Sequence, residues 1–244
     1  VLPENLGGRN PISPSPIPAA GQIPNRAGVP TDFAIPEEMT LAQISETVKD
    51  FVVAARRAID AGMDGVEIHA GNNFLIDSFL RDGTNERGDG YGGSIQNRTR
   101  FLLEVVDAIT AEIGAGRTGV RISPTNNVFG ISDSNPEELF SYVAAQLSKR
   151  DLAFLHVLEP KPESGIDYLT PILRQKYQGT LIINGGYDKA SGNAALKNNE
   201  AEAIVFGTPF IANPDLVERF AGNAELAKPD PATFYSSGAK GYID

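Results

Sequence analysis

A chain of 244 residues, 41% hydrophobic and 21% charged, can bury a sizeable core and falls within the size of one ordinary globular domain. Zero cysteines exclude disulfides and thiolate metal sites, and two histidines, His69 and His156, are too few for a typical zinc centre. A net charge of −10 argues against a nucleic-acid or anionic-membrane surface, both of which need a basic patch. No apolar run approaches a membrane span, and Val1-Leu2-Pro3-Glu4 has neither a basic n-region nor a hydrophobic h-region, so a soluble, cytoplasmic protein is expected.

Residues 1–39 are rich in proline, from Pro3 through Pro36, with several Ser, Gly and Asn, and contain no convincing strand. Thr40 and Gln43 then form a capping-box pair, and Ile44, Val48, Phe51, Val52, Ala55 and Ile59 recur at helical spacing until Gly62. That helix feeds a strand over 65–68. A second helix begins near Ser94 and carries Phe101, Leu102, Val105, Val106 and Ile109, leading to a strand over 119–122. A third has Asn135 as its cap, Pro136 at its first position and Glu137 and Glu138 in its first turn, leading to a strand over 154–158. Strands over 180–183 and 203–206 follow, with shorter helices over 167–178, 190–197 and 214–221. Strands alternating with helices are the signature of βα units around a parallel sheet.

Five such units make an open doubly wound sheet or five-eighths of a (β/α)8 barrel. The first 39 residues favour the barrel, because they read as a long barrel loop whose parent strand is missing. The chain also begins without methionine, and an N-terminal portion is therefore expected to be absent from this sequence.

Chemistry concentrates where strands end. Gly65-Val66-Glu67-Ile68-His69-Ala70-Gly71-Asn72 is an apolar strand ending in a histidine, with an asparagine three residues on. Imidazole and amide donors can both aim at a carbonyl oxygen on which charge builds during reaction; a core histidine satisfied by a backbone group is the competing reading. Ile183-Asn184-Gly185-Gly186 and Phe206-Gly207-Thr208-Pro209 put small residues where barrels often bind phosphate through backbone N–H groups, although Gly-Gly is also an ordinary turn. Arg121 lies between apolar strand neighbours, which is costly unless its guanidinium meets an anion or a carbonyl; a buried salt bridge is the plainer account. Three strand ends fit one anionic, phosphorylated ligand. Glu67 shares a strand face with His69 but has no evident acidic partner, and Glu159 and Lys161 read as loop charges. With no lysine or carboxylate pair at the strand ends, a sugar-phosphate aldolase or isomerase is disfavoured.

Nearly the whole chain resembles the old yellow enzyme family of FMN-dependent ene-reductases. The densest part is Gly65-Val66-Glu67-Ile68-His69 with Asn72, Phe79-Leu80, then Asn85-Glu86-Arg87-Gly88-Asp89-Gly90-Tyr91-Gly92-Gly93-Ser94 with Asn97-Arg98 and Arg100. Phe210-Ile211-Ala212-Asn213-Pro214-Asp215-Leu216, Thr233-Phe234-Tyr235 and Gly241-Tyr242-Ile243-Asp244 extend the likeness to the C-terminus. The resemblance implies a (β/α)8 TIM barrel, strands four to eight of which are represented here, with FMN as cofactor and NADPH as the usual electron donor.

It also implies roles. His69 and Asn72 hold the carbonyl oxygen of a small α,β-unsaturated substrate, Arg121 offsets negative charge on reduced flavin, and Tyr235 borders the substrate pocket. Asn184, Gly185, Gly186, Phe206, Gly207 and Thr208 form the phosphate loops, with no metal. The chain departs from the family's pattern in three ways. Phe74 stands where many members have the tyrosine that protonates the α-carbon, so flavin-dependent isomerisation of an enal is an alternative to reduction. Thr208 stands where the family usually has an arginine on the FMN phosphate, and the strands that supply further flavin contacts are missing. A catalytically silent truncated paralogue is the other alternative, and the 244-residue chain by itself is expected to fold poorly, oligomerise or close imperfectly.

Overall fold

The computed structural model describes residues 1–160, 168–234 and 238–241. Its centre is a five-stranded parallel sheet whose spatial order follows the sequence: β5 (Val66–Ala70), β6 (Thr118–Ile122), β7 (Phe154–Leu158), β8 (Leu181–Asn184) and β9 (Ala203–Ile204). Strand order equal to chain order, with a helix in each connection, is what successive βα units of one hand produce. β5 and β9 are the two edges, and no further strand pairs with either among the described residues.

Each helix forms for reasons visible locally. α1 (Leu41–Asp60) starts at a complete capping box, in which Thr40 Oγ1 accepts from the Gln43 N–H and the Gln43 side chain accepts from the Thr40 N–H. Gly62 follows its end with φ +90°, a conformation open to glycine. α3 (Ile95–Ile113) is capped by Ser94 and α4 (Pro136–Leu147) by Asn135 with Pro136 at its first position. Two short helices escaped the sequence pattern, α2 (Leu75–Leu80) and α7 (Thr208–Ala212), because six and five residues are too few to establish a period. α5 (Thr170–Lys176), α6 (Lys189–Lys197) and α8 (Leu216–Gly222) complete the set.

Strand alternation divides the sheet into two chemical faces. Ile68, Ala70, Val120, Ile122, Leu155, Val157, Leu181 and Ile183 point to the helices and are buried with Phe101, Val105, Ile109, Leu139, Val143 and Leu147. Each such side chain is worth about 1.5–3 kcal/mol when fully buried. Phe101 anchors three helices here, its ring 6.5 Å from Phe51 of α1 and 4.5 Å from Phe79 of α2. The opposite face carries Glu67, His69, Arg121, His156 and Asn184, since His69 pairs with Arg121 and Arg121 with His156 in register.

The expectation that residues 1–39 hold no strand is corrected. β1 (Ile12–Ser13) runs parallel to β4 (Glu37–Glu38), and β2 (Gln22–Pro24) pairs with β3 (Pro30–Asp32) as a hairpin. These strands are two or three residues long, below any period-2 signal, and the prolines Pro24 and Pro30 sit at the ribbon's end, where ladder donors are dispensable. The hairpin turn is held by Asn25, whose Oδ1 accepts from the N–H groups of Ala27 and Val29 at 2.9 Å each.

The glycine-rich stretch after α2 is held in place by two buried arginines, Arg87 at its start and Arg98 in α3. Arg87 donates to the carbonyls of Pro14 and Met39 and pairs with Asp89 at 2.6 Å, tying the N-terminal segment to the loop. Arg98 donates to the carbonyls of Leu80 and Gly93. Guanidinium groups suit this task because each offers five donors to carbonyls that no helix or sheet can satisfy.

Candidate active site

β5 delivers His69 to the C-terminal rim of the sheet, and the chain then turns so tightly that Asn72 and Asn73 both adopt positive φ, 56° and 59°. Asparagine tolerates this conformation better than most side chains. Gly71 lies against β6's end, where a Cβ would meet Ser123 Oγ at 2.6 Å, and that hydroxyl accepts from the Asn72 N–H at 2.7 Å. Buried Asp77 of α2 and Arg81 just past its end fasten the loop: Asp77 accepts from the Asn73 N–H, pairs with Arg81 at 2.9 Å, and Arg81 donates to the carbonyls of Ser123 and Pro124.

The side chains of this loop meet one another and the loop after β6. The Phe74 ring is 60% exposed and stands edge-on to the His69 imidazole, centroids 4.9 Å apart. Burial lowers the His69 pKa from its ordinary 6.5, and nearby Arg121 lowers it further, against the opposing effect of Glu67. A neutral imidazole with one N–H to give is therefore the form at neutral pH. Asn72 Oδ1 accepts from Asn126 Nδ2 at 2.7 Å.

Across the sheet, a chain of polar contacts joins β5 to β8. Glu67 Oε2 lies 2.8 Å from His156 Nδ1, and His156 Nε2 lies 3.0 Å from Asn184 Oδ1. Arg121 Nη2 donates to the same Asn184 oxygen at 3.5 Å, while Arg121 Nε is buried with no hydrogen-bond partner. The salt bridge considered for Arg121 is not found among the described residues. Glu67 does have a partner, but it is His156, whose only signal in the sequence is a histidine set within an apolar strand.

Asn184, Gly185, Gly186, Phe206, Gly207 and Thr208 come together on one cavity of about 530 Å³, whose wall also includes Lys228. Gly185 has φ +141°, and a Cβ there would stand 1.5 Å from the Glu159 carbonyl oxygen, so only glycine fits the crossing. Gly186 and Gly207 have nothing within 4 Å of where a Cβ would be, so the space beside each is open. Glu159 is not a loop charge. Its buried carboxylate accepts from the N–H groups of Leu169 and Thr170 and from the Thr170 hydroxyl at 2.7 Å, satisfying the start of α5, and burial raises its pKa. Tyr235, Tyr242 and Lys161 lie outside the described residues. Among those described, no helix is long and apolar enough to cross a membrane and no cluster of His, Cys, Asp or Glu could hold a metal ion.

Residues 8–227 match the model of the NADH:flavin oxidoreductase / NADH oxidase family. The chain belongs to this family, that of the old yellow enzymes. It is 43% identical over 225 residues to putative 12-oxophytodienoate reductase 12 of Oryza sativa subsp. japonica, covering 87% of this chain and 55% of that one. It is 44% identical over 222 residues to a probable flavin mononucleotide-dependent alkene reductase of Leishmania infantum, covering 90% and 60%. The chain thus spans little more than half the length of these old yellow enzyme relatives. Among solved structures it resembles morphinone reductase, with TM-score 0.92 and 43% identity over 97% of this chain and 66% of that one. It also resembles an old yellow enzyme homologue from Zymomonas mobilis, with TM-score 0.96 and 40% identity over the whole of this chain and 70% of that one. These likenesses imply an α/β fold of the TIM-barrel type, to which the five-stranded parallel sheet conforms.

Proposed function

We propose that this chain carries the flavin and substrate sites of an FMN-dependent ene-reductase, with β5 to β9 as strands four to eight of a (β/α)8 barrel. The observation that carries the reading is the polar sheet face, on which His69, Arg121 and Asn184 follow one another from the carbonyl-binding rim toward the glycine-lined cavity. The residues present fit FMN. Open space beside Gly186 and Gly207 suits a phosphate, Lys228 on the same wall suits its charge, and the unpartnered Arg121 Nε is a donor for which the flavin's pyrimidine edge supplies an acceptor.

When bound, FMN supplies the hydride, refilled from a nicotinamide donor, with NADPH the expected one. The protein's own share is polarisation. His69 and Asn72 donate to the carbonyl oxygen of an α,β-unsaturated substrate, and a donor pair aimed where negative charge develops lowers the barrier to attack at the β-carbon. Arg121 holds positive charge beside the ring edge, and Gly185 to Gly186 with Gly207 and Thr208 hold the phosphate. Tyr235 borders the substrate in this reading.

A second reading, flavin-dependent isomerisation of an enal, is favoured by one observation. The side chain packed on His69 is Phe74, which has no proton to deliver to the α-carbon. Addition of FMN to the purified chain, removal of excess and a visible spectrum test the cofactor assignment, and turnover of an enone with NADPH tests the activity. A colourless protein refutes flavin binding by this chain; a flavin-loaded protein that converts an enal without net consumption of NADPH favours the isomerase.

A further inference from the structure

Asn72 can polarise a carbonyl only if its NH2, and not its amide oxygen, is left for the substrate. The hydrogen bonds around it decide which. Asn126, in the loop after β6, accepts from the Val128 N–H through Oδ1 at 3.1 Å. A backbone N–H can only donate, so this contact identifies the oxygen of the Asn126 amide and makes its other end the NH2. That NH2 lies 2.7 Å from the Asn72 side chain, which must therefore present its own oxygen there. The Asn72 NH2 is the group that remains, and it has no hydrogen-bond partner among the described residues. Meanwhile the Asn72 main chain is pinned by Ser123 Oγ, so the amide can answer Asn126 only by rotation of its own side chain.

We propose that Asn126 is a positioning residue that orients the Asn72 amide as a donor toward the substrate carbonyl. This rests on the ene-reductase reading for the identity of the substrate, but the orientation itself does not. It also makes the loop after β6 part of the recognition machinery without any contact to substrate, because a single relay from a backbone N–H fixes the polarity of the site.

The test turns on Asn126→Asp against Asn126→Ala, with a neutral probe, cyclohex-2-enone, added to the chain in the presence of FMN. Asp is isosteric and keeps the bond to the Val128 N–H, but its second oxygen demands a donor, so Asn72 must rotate and turn its oxygen toward the substrate. Ala removes the relay and leaves Asn72 free to choose. A positioning role predicts that Asp weakens enone binding on the order of tenfold and Ala by less, since a neutral donor replaced by an acceptor loses a hydrogen bond and gains a repulsion. A merely structural role predicts the reverse order, and Ala equal to or worse than Asp overturns the proposal. Side-chain amide resonances give a second readout: the Asn72 NH2 signals are expected to shift with enone in the wild type and not in Asn126→Asp. Without any ligand, Asn72→Ala is expected to shift the Asn126 NH2 signals, and their failure to move overturns the orientation. Absence of enone binding by the wild type, with those signals shifting, instead refutes the ene-reductase reading and leaves the orientation standing.

Discussion

Glu67 on β5 and His156 on β7 meet at 2.8 Å although a whole strand, β6, runs between their own. The β6 residue in register between Glu67 and Phe154 is Gly119, which puts no side chain of its own on this face. The Phe154 ring leans over that residue, and a Cβ on Gly119 would stand 2.3 Å from it.

Gly119→Ala is therefore expected to push the Phe154 ring aside and disturb the Glu67–His156 contact, at about 1–3 kcal/mol for overpacking. Chemical denaturation measures this. An unchanged midpoint would mean that the ring finds another rotamer at no cost.

At the cavity, Thr208→Arg adds a bidentate cation beside the glycine loops and is expected to tighten FMN binding about tenfold while leaving riboflavin unchanged. Lys228→Gln is expected to weaken FMN binding severalfold, consistent with one exposed charge pair, and to reduce its salt dependence. Fluorescence titrations with FMN and riboflavin separate the phosphate from the ring. Equal effects on both ligands would place the phosphate elsewhere.

Phe74→Tyr puts a phenol beside His69, where the phenyl ring now stands 4.9 Å from the imidazole. Net alkene reduction is expected to rise relative to isomerisation in flavin-loaded protein, read as the product ratio. No change would mean that the proton comes from another donor.

The lowered pKa of His69 ties stability to pH. Below the ordinary value of 6.5 the unfolded chain binds a proton that the folded one refuses, so stability falls as pH drops through and below that value. Thermal melts between pH 7 and 5 should show a larger loss for the wild type than for His69→Gln, which has no such proton to bind. Equal losses would mean that His69 titrates alike in both states.

Much of the frame was legible in the residues because its causes are local. Thr40 with Gln43, Ser94, and Asn135 with Pro136 announce three helix starts, since a cap and its N–H lie within three residues of each other. The apolar strands and the small residues after β8 and β9 were legible for the same reason, and their convergence on one cavity follows once parallel strands share a C-terminal rim. What remained hidden has causes distant in sequence. Glu159 became the acceptor for the start of α5 through residues ten and eleven positions on. β1 found its partner β4 across a proline-rich segment, and His156 met Glu67 only when the sheet set β5 and β7 on either side of β6. The composition of the strand ends determined which polar side chains and glycines stand on the rim of the sheet. Only the tertiary structure decided their polarity, because whether the Asn72 amide offers a proton or an oxygen depends on Asn126, 54 residues away in sequence.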